Sequence, residues 1–173
     1  DRASLCQAIV AAEGARRMPA PVVHPGSLRP GWLATKDSWR PPRRVMVVED
    51  DPLLQLDLVR LLRAGGQQVV ATAGRGDAAV ALFAAACAAG NPPDLVLLDI
   101  HLGRGMDGIE TAHGIRALDA EVALIFRSGQ ADPATRERIA PIAPLAFLDK
   151  LAPNEAVLRA VATVPARGRE TRR

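Results

Sequence analysis

Val45-Met46-Val47-Val48-Glu49-Asp50-Asp51-Pro52 decides how the middle of this chain is read. Four consecutive apolar residues without polar alternation form the pattern of a short strand buried on both faces. Three acids follow at once, and Asp51-Pro52 has the residue types of a helix N-cap and first helical position. Leu53, Leu54, Leu56, Leu58, Val59, Leu61 and Leu62 then predict a helix, which Gly65-Gly66 ends. A buried strand running straight into a helix is the opening of a β-α-β unit.

The same alternation continues downstream. A second strand is expected near 67–73, and an Ala-rich helix over about 76–89, with Gly90 and Pro92-Pro93 beyond it. Asp94-Leu95-Val96-Leu97-Leu98-Asp99 predicts a third strand. A loop with Gly103 and Gly105 leads to a helix near 107–118. Val122 to Phe126 is the fourth strand, followed by a helix near 132–139. A fifth strand falls within 143–148, and Pro153 opens a last helix to about Val164. Strands alternating with helices imply right-handed crossovers and a parallel sheet with helices on both faces. The expected body is an open α/β fold of five strands, and no internal repeat is visible.

Working outward, the flanks differ in composition. Residues 1–43 form a Pro/Arg-rich N-terminal extension, expected to be mobile or loosely docked, with a short helix near 3–17 and with Trp32 and Trp39 as possible anchors. Residues 165–173 form a basic tail, leaving 44–164 as the folded body. The chain of 173 residues has net charge +3 and a pI near 9.5, which invites a nucleic-acid reading. Residues 1–44 carry eight Lys/Arg against three Asp/Glu, residues 45–164 ten against fifteen, and residues 165–173 four against one. The body is therefore acidic, and the basic charge sits in the tails. No helix-turn-helix is recognisable in either tail, so no specific nucleic-acid partner is expected.

No apolar run approaches the roughly 20 residues of a membrane-spanning helix. Cys6 and Cys87 cannot make a disulfide framework, and no signal-peptide layout is visible, so a cytoplasmic setting is the expectation. Arginine outnumbers lysine twenty to two, the lysines being Lys36 and Lys150. In so biased a chain, a lysine in the body suggests a position suited to a compact ammonium rather than a guanidinium fork.

In open parallel sheets the functional crevice lies outside the carboxyl ends of the strands. The first strand ends in Glu49-Asp50-Asp51, the third in Asp99, the fourth in Ser128 and the fifth in Lys150. Singly these are unremarkable: Asp51 is most simply a helix cap, Glu49 and Asp50 could be loop acids, Ser128 a strand-ending serine, and Lys150 a solvated lysine. Together they crowd carboxylates whose repulsion a hard divalent cation relieves, Mg2+ above all. A hydroxyl and an ammonium opposite such a site suit the oxygens of a phosphoryl group.

These residues resemble the receiver domains of two-component response regulators. The resemblance spans about residues 43–164 and rests on Val47-Val48-Glu49-Asp50-Asp51-Pro52, Leu97-Leu98-Asp99-Ile100-His101-Leu102, Met106-Asp107-Gly108-Ile109-Glu110, Ile125-Phe126-Arg127-Ser128 and Phe147-Leu148-Asp149-Lys150. It implies a flavodoxin-like doubly wound sheet in the order 2-1-3-4-5. It further implies Asp99 as phosphoacceptor, and Mg2+ held by Glu49, Asp50, Asp99 and the backbone carbonyl of His101. Ser128 matches the switch hydroxyl, Phe147 the switch aromatic and Lys150 the phosphoryl-pairing lysine. His101 and Gln130 would flank the attacking water and modulate hydrolysis. A histidine kinase or histidine phosphotransfer protein would donate the phosphoryl group. An unidentified downstream protein would read the face made by the fourth helix, fifth strand and fifth helix.

The chain departs from the family at three places. Leu151 stands where a proline with a cis peptide usually follows the lysine, Asp149 puts a carboxylate beside Lys150, and Arg127 precedes Ser128. Arg127 and Asp149 are expected to pair across neighbouring strand ends, an exposed ion pair worth at most about 1 kcal/mol. Two other readings remain to be weighed. Gly74-Arg75-Gly76-Asp77-Ala78-Ala79 fits a dinucleotide-binding pattern, but it follows the second strand, and Asp77 would face a pyrophosphate. The second is a receiver that binds a partner without being phosphorylated. With no output domain recognisable, a stand-alone receiver is expected.

Overall fold

The computed structural model describes residues 42–103, 105–129 and 132–165. The helix expected near 3–17, Trp32, Trp39 and Gln130 lie outside the described residues. The elements are β1 (Arg44–Val48), α1 (Pro52–Ala64), β2 (Gln68–Ala73), α2 (Gly76–Ala88), β3 (Leu95–Asp99), α3 (Gly108–Leu118), β4 (Ala123–Ser128), α4 (Pro133–Ile139), β5 (Ala146–Asp149) and α5 (Asn154–Ala162). A single 3-10 turn, Ala140–Ile142, follows α4. The five strands pair in parallel in the order β2-β1-β3-β4-β5, as expected of a doubly wound sheet.

Local chemistry sets the helix starts. The Asp51 carboxylate accepts from the Leu53 and Leu54 N–H groups at 2.8 and 3.1 Å, so its capping role is real. At α3 the cap is reciprocal: Asp107 accepts from the Glu110 N–H, and the Glu110 carboxylate accepts from the Asp107 N–H. Asp132 caps α4 by accepting from the Thr135 N–H at 2.7 Å.

Strand parity divides the core. Met46, Val48, Val96, Leu98, Leu124 and Phe126 face α2, α3 and α4, where Phe83, Ile109 and Ile115 are buried. Val45, Val47, Leu95, Leu97, Ile125 and Leu148 face α1 and α5, where Leu58, Leu62, Val157 and Val161 cover them. Burial on both sides explains the continuous apolar strands. The apolar run of α1 is less uniform in effect. Leu58, Val59 and Leu62 are buried, but Leu53, Leu54 and Leu56 are exposed. Leu53, Leu54 and Leu56 lie off the stripe formed by Leu58, Val59 and Leu62, so the turn of the helix leaves them in solvent.

Gly76, the middle of the dinucleotide-like pattern, has a packing reason. A Cβ there would stand 2.8 Å from the Met106 carbonyl oxygen and overlap the Thr111 hydroxyl. The pattern follows the edge strand β2, and an exposed Arg75–Asp77 ion pair at 2.8 Å occupies the start of α2.

Candidate functional site

The sheet register builds the site. Val48 lies beside Leu98, so Glu49 comes level with Asp99, and Asp99 is paired directly with Arg127 on β4. Residues level on parallel strands point to the same face. Glu49, Asp99 and Arg127 thus form one row at the carboxyl edge, on the side of α1 and α5. The Glu49 and Asp99 side chains are each 1% exposed, whereas Asp50 is exposed at the rim.

Lys150 joins the two buried acids. Its ammonium donates to Glu49 Oε1 at 2.9 Å and to Asp99 Oδ2 at 2.8 Å. The His101 N–H donates to Asp99 Oδ1 at 3.2 Å, while the His101 ring is exposed. Asp50 Oδ2 accepts from the Gly103 N–H at 3.0 Å, which ties the β3–α3 loop to the rim. Burial pushes the Glu49 carboxyl up; the Lys150 hydrogen bond offsets part of that, and the Asp99 charge adds to it. Burial works against the Lys150 charge, but its bonds to Asp99 and Glu49 outweigh this and raise its pKa.

The donor set fits a hard cation. One carboxylate oxygen from each of Glu49, Asp50 and Asp99 lies within 4.8 Å of the others, and buried Glu49 Oε2 has no hydrogen-bond partner. Ser128 is 1% exposed and lies at the end of β4. Phe147 on β5 is half-buried, packed against the α2–α4 side of the core. The structure therefore brings together Glu49, Asp50, Asp99 and Lys150.

Two departures noted in the sequence turn out to work as one. All described peptide bonds are trans, including that to Leu151. The Leu151 N–H, which a proline would lack, donates to Asp149 Oδ1 at 2.7 Å, and the Ala152 N–H donates to the Asp149 carbonyl at 3.0 Å. Asp149 thus closes the turn that Leu151 leaves open. The Leu151 side chain is 90% exposed.

The expected surface pair between Arg127 and Asp149 does not form. Arg127 is 7% exposed, and its Nη2 donates to the Lys150 carbonyl at 3.1 Å. Asp149 is exposed and engaged with Leu151. Strand parity is the reason: Arg127 follows Ile125 onto the covered face, while Asp149 caps its own turn. Burial pushes the Arg127 pKa down, opposed by the charges of Glu49, Asp99 and Asp149.

Two supporting roles, those of Gln55 and Gly108, escaped the sequence reading. The Gln55 amide donates to the carbonyls of Glu49 and Ala73, both at 3.0 Å, and so joins the ends of β1 and β2. A lone amide between Leu54 and Leu56 was the available signal. Gly108 packs on the Asp99 backbone, where a Cβ would lie 2.7 Å from Ile100 Cα and overlap the Asp99 carbonyl oxygen.

Comparison with known proteins places this geometry. The family model described as "Response regulator receiver domain" matches residues 45–162. This chain belongs to that family. Among curated relatives of the receiver, the transcriptional regulatory protein PdtaR of Mycobacterium tuberculosis is 37% identical over 98 residues, covering 56% of this chain and 45% of that protein. The transcriptional regulatory protein AruR of Pseudomonas aeruginosa is 38% identical over 93 residues, covering 54% and 37%. The chain thus spans less than half the length of these relatives. The receiver domain of a putative response regulator NarL from M. tuberculosis superposes with a TM-score of 0.61 at 29% identity, covering 72% and 99%. The N-terminal domain of a response regulator/sensory box/GGDEF protein from Carboxydothermus hydrogenoformans gives a TM-score of 0.61 at 30% identity, covering 70% and 93%. The chain is a response regulator receiver of two-component signal transduction. No helix among the described residues is long and apolar enough to cross a membrane.

Proposed function

We propose that this receiver is a working phosphoacceptor, with residues 44–164 as the signalling body and residues 1–43 and 165–173 as its flanks. The observation that carries the reading is the cluster itself: three carboxylates within 4.8 Å of one another, with the Lys150 ammonium on two of them. Asp99 attacks the phosphorus of a phosphohistidine on a histidine kinase or phosphotransfer protein. The P–N bond breaks as the O–P bond forms, and the imidazole leaves with the electron pair. Mg2+, held by Glu49, Asp50, Asp99 and the His101 carbonyl, would supply charge neutralisation at the phosphoryl oxygens.

The chain's own groups do the rest. Lys150, already 2.8 Å from Asp99 Oδ2, turns to a phosphoryl oxygen. The Ser128 hydroxyl moves toward the phosphoryl group, and Phe147 rotates into the space it leaves. This shifts the α4, β5 and α5 face between two states, which a downstream protein reads. His101 and Gln130 flank the hydrolytic water. A cytoplasmic setting follows from that kinase chemistry.

The test is phosphorylation by acetyl phosphate with Mg2+. Wild type should gain one base-labile phosphoryl group by mass spectrometry, and Asp99→Asn should gain none. Equal labelling of both proteins refutes Asp99 as acceptor. An unlabelled wild type leaves the binding-only receiver as the reading.

A further inference from the structure

We infer that Arg127 is a positioning residue of this site: its buried guanidinium holds the Lys150 main chain and stands as a fixed positive charge beside Glu49 and Asp99, leaving the Lys150 ammonium free to turn between carboxylates and phosphoryl oxygens. The inference rests on the phosphoacceptor reading and deepens it.

An arginine that is 7% exposed is not a solvated surface cation. Nor is it one half of a structural ion pair, because no carboxylate oxygen among the described residues comes within ion-pair distance of it. Burying a cation without such a partner is costly. Here the compensation is the field of the site: Glu49 and Asp99 stand in the same row, and both favour the Arg127 charge. The two buried carboxylates, Glu49 and Asp99, thus act on two cations before any metal or phosphoryl group arrives, and of these cations only Lys150 touches the acids.

The two cations have different tasks because their attachments differ. The Lys150 main chain is held on both sides by consecutive β4 residues: its N–H donates to the Ser128 carbonyl at 3.0 Å, and its carbonyl accepts from Arg127 at 3.1 Å. The next N–H, of Leu151, is taken by Asp149. With its backbone fixed, only the side chain of Lys150 is left to move. When the ammonium leaves for a phosphoryl oxygen, Glu49 loses its side-chain donor, and its Oε2 already lacks a partner. Arg127 is then the side-chain cation that stays beside Glu49, next to the site that would hold Mg2+, and its own Nε is buried without a partner. A compact ammonium moves, and a buried guanidinium held through Nη2 stays.

The test uses the full chain as wild type, Arg127→Met and Arg127→Lys, with Mg2+ affinity measured by calorimetry, labelling by acetyl phosphate at saturating Mg2+, and fold by circular dichroism. In Arg127→Met the loss of a repelling charge should tighten Mg2+ about 5-fold. Loss of the Lys150 anchor should slow labelling about 10-fold. Arg127→Lys should bind Mg2+ as wild type does and recover part of the rate. A merely structural residue would weaken Mg2+ binding and labelling together in both variants, and that outcome overturns the inference. So does a wild-type affinity and rate in Arg127→Met. If Arg127→Met does not fold, Arg127→Lys decides: unchanged Mg2+ affinity with slower labelling supports the inference, and weakened Mg2+ binding overturns it. A wild type that takes no label fails the phosphoacceptor reading instead, while tighter Mg2+ binding in Arg127→Met with unchanged binding in Arg127→Lys still establishes the fixed charge.

Discussion

Lys150→Met removes the charge between Glu49 and Asp99 while keeping most of the side chain's length. Both carboxylates are 1% exposed, and the ammonium is 22% exposed. Removing one partner of a buried ion pair costs about 3–5 kcal/mol, because the other charge is left uncompensated. Partial solvation of the ammonium reduces that to about 2–3 kcal/mol here. At about 4 °C per kcal/mol for a domain of this size, the melting temperature in EDTA should fall by about 10 °C. Mg2+ should restore more stability to the variant than to wild type, since a cation then meets acids that lack their ammonium.

The pH dependence has a definite sign. Glu49 is raised by burial, so the folded state holds its proton more tightly than the unfolded state does. Its ionised form therefore costs stability at neutral pH, a cost that disappears as pH falls through the folded pKa. Lys150 is raised as well, so its contribution is complete at neutral pH and is lost only as pH rises through its folded pKa. Without Lys150 the Glu49 carboxyl rises further, and the variant should regain stability more steeply than wild type as pH is lowered from neutral. Urea unfolding at neutral and at mildly acidic pH, with EDTA or MgCl2, measures all of this. A variant within about 0.5 kcal/mol of wild type in EDTA, or with the same Mg2+ gain, refutes the reasoning.

Two further substitutions separate chemistry from packing. Asp50 is exposed, so Asp50→Ala should weaken Mg2+ at least about 10-fold by calorimetry, yet change unfolding free energy by less than about 0.5 kcal/mol; undiminished Mg2+ affinity would remove Asp50 from the ligand set. Gly108→Ala places a methyl group against the Asp99–Ile100 backbone, which cannot rotate aside. It should cost about 1–3 kcal/mol in urea unfolding and slow acetyl phosphate labelling, because the end of β3 must shift. Wild-type stability and rate together would contradict that contact.

Much of this is legible in the sequence alone. Continuous apolar runs such as Val45–Val48 and Leu95–Leu98 mark strands covered on both faces, and the intervening helices compel parallel pairing. Parallel strands place all their carboxyl ends along one edge, so Glu49, Asp50, Asp99 and Lys150 could be gathered from sequence order alone. The cap at Asp51 was visible too, because capping is a contact across only a few residues.

What eluded the sequence depends on which way a side chain points and on what covers it. Arg127 and Asp149 occupy neighbouring strand ends and carry opposite charges, so pairing was the natural expectation. The pleat sends Arg127 under α1 and α5, and Asp149 instead closes the turn at Leu151. The apolar run of α1 predicts a helix but not which leucines reach the core: Leu58 and Leu62 share the sheet-facing stripe, and Leu53, Leu54 and Leu56 lie off it. Gln55 and Gly108 gain their meaning only from strand ends far away in the chain. The amino-acid sequence determined the fold and the chemical groups at its edge, because periodicity and strand order are carried locally. Tertiary structure alone decided how those groups are held, because burial, register and hydrogen-bond reach belong to residues distant in sequence.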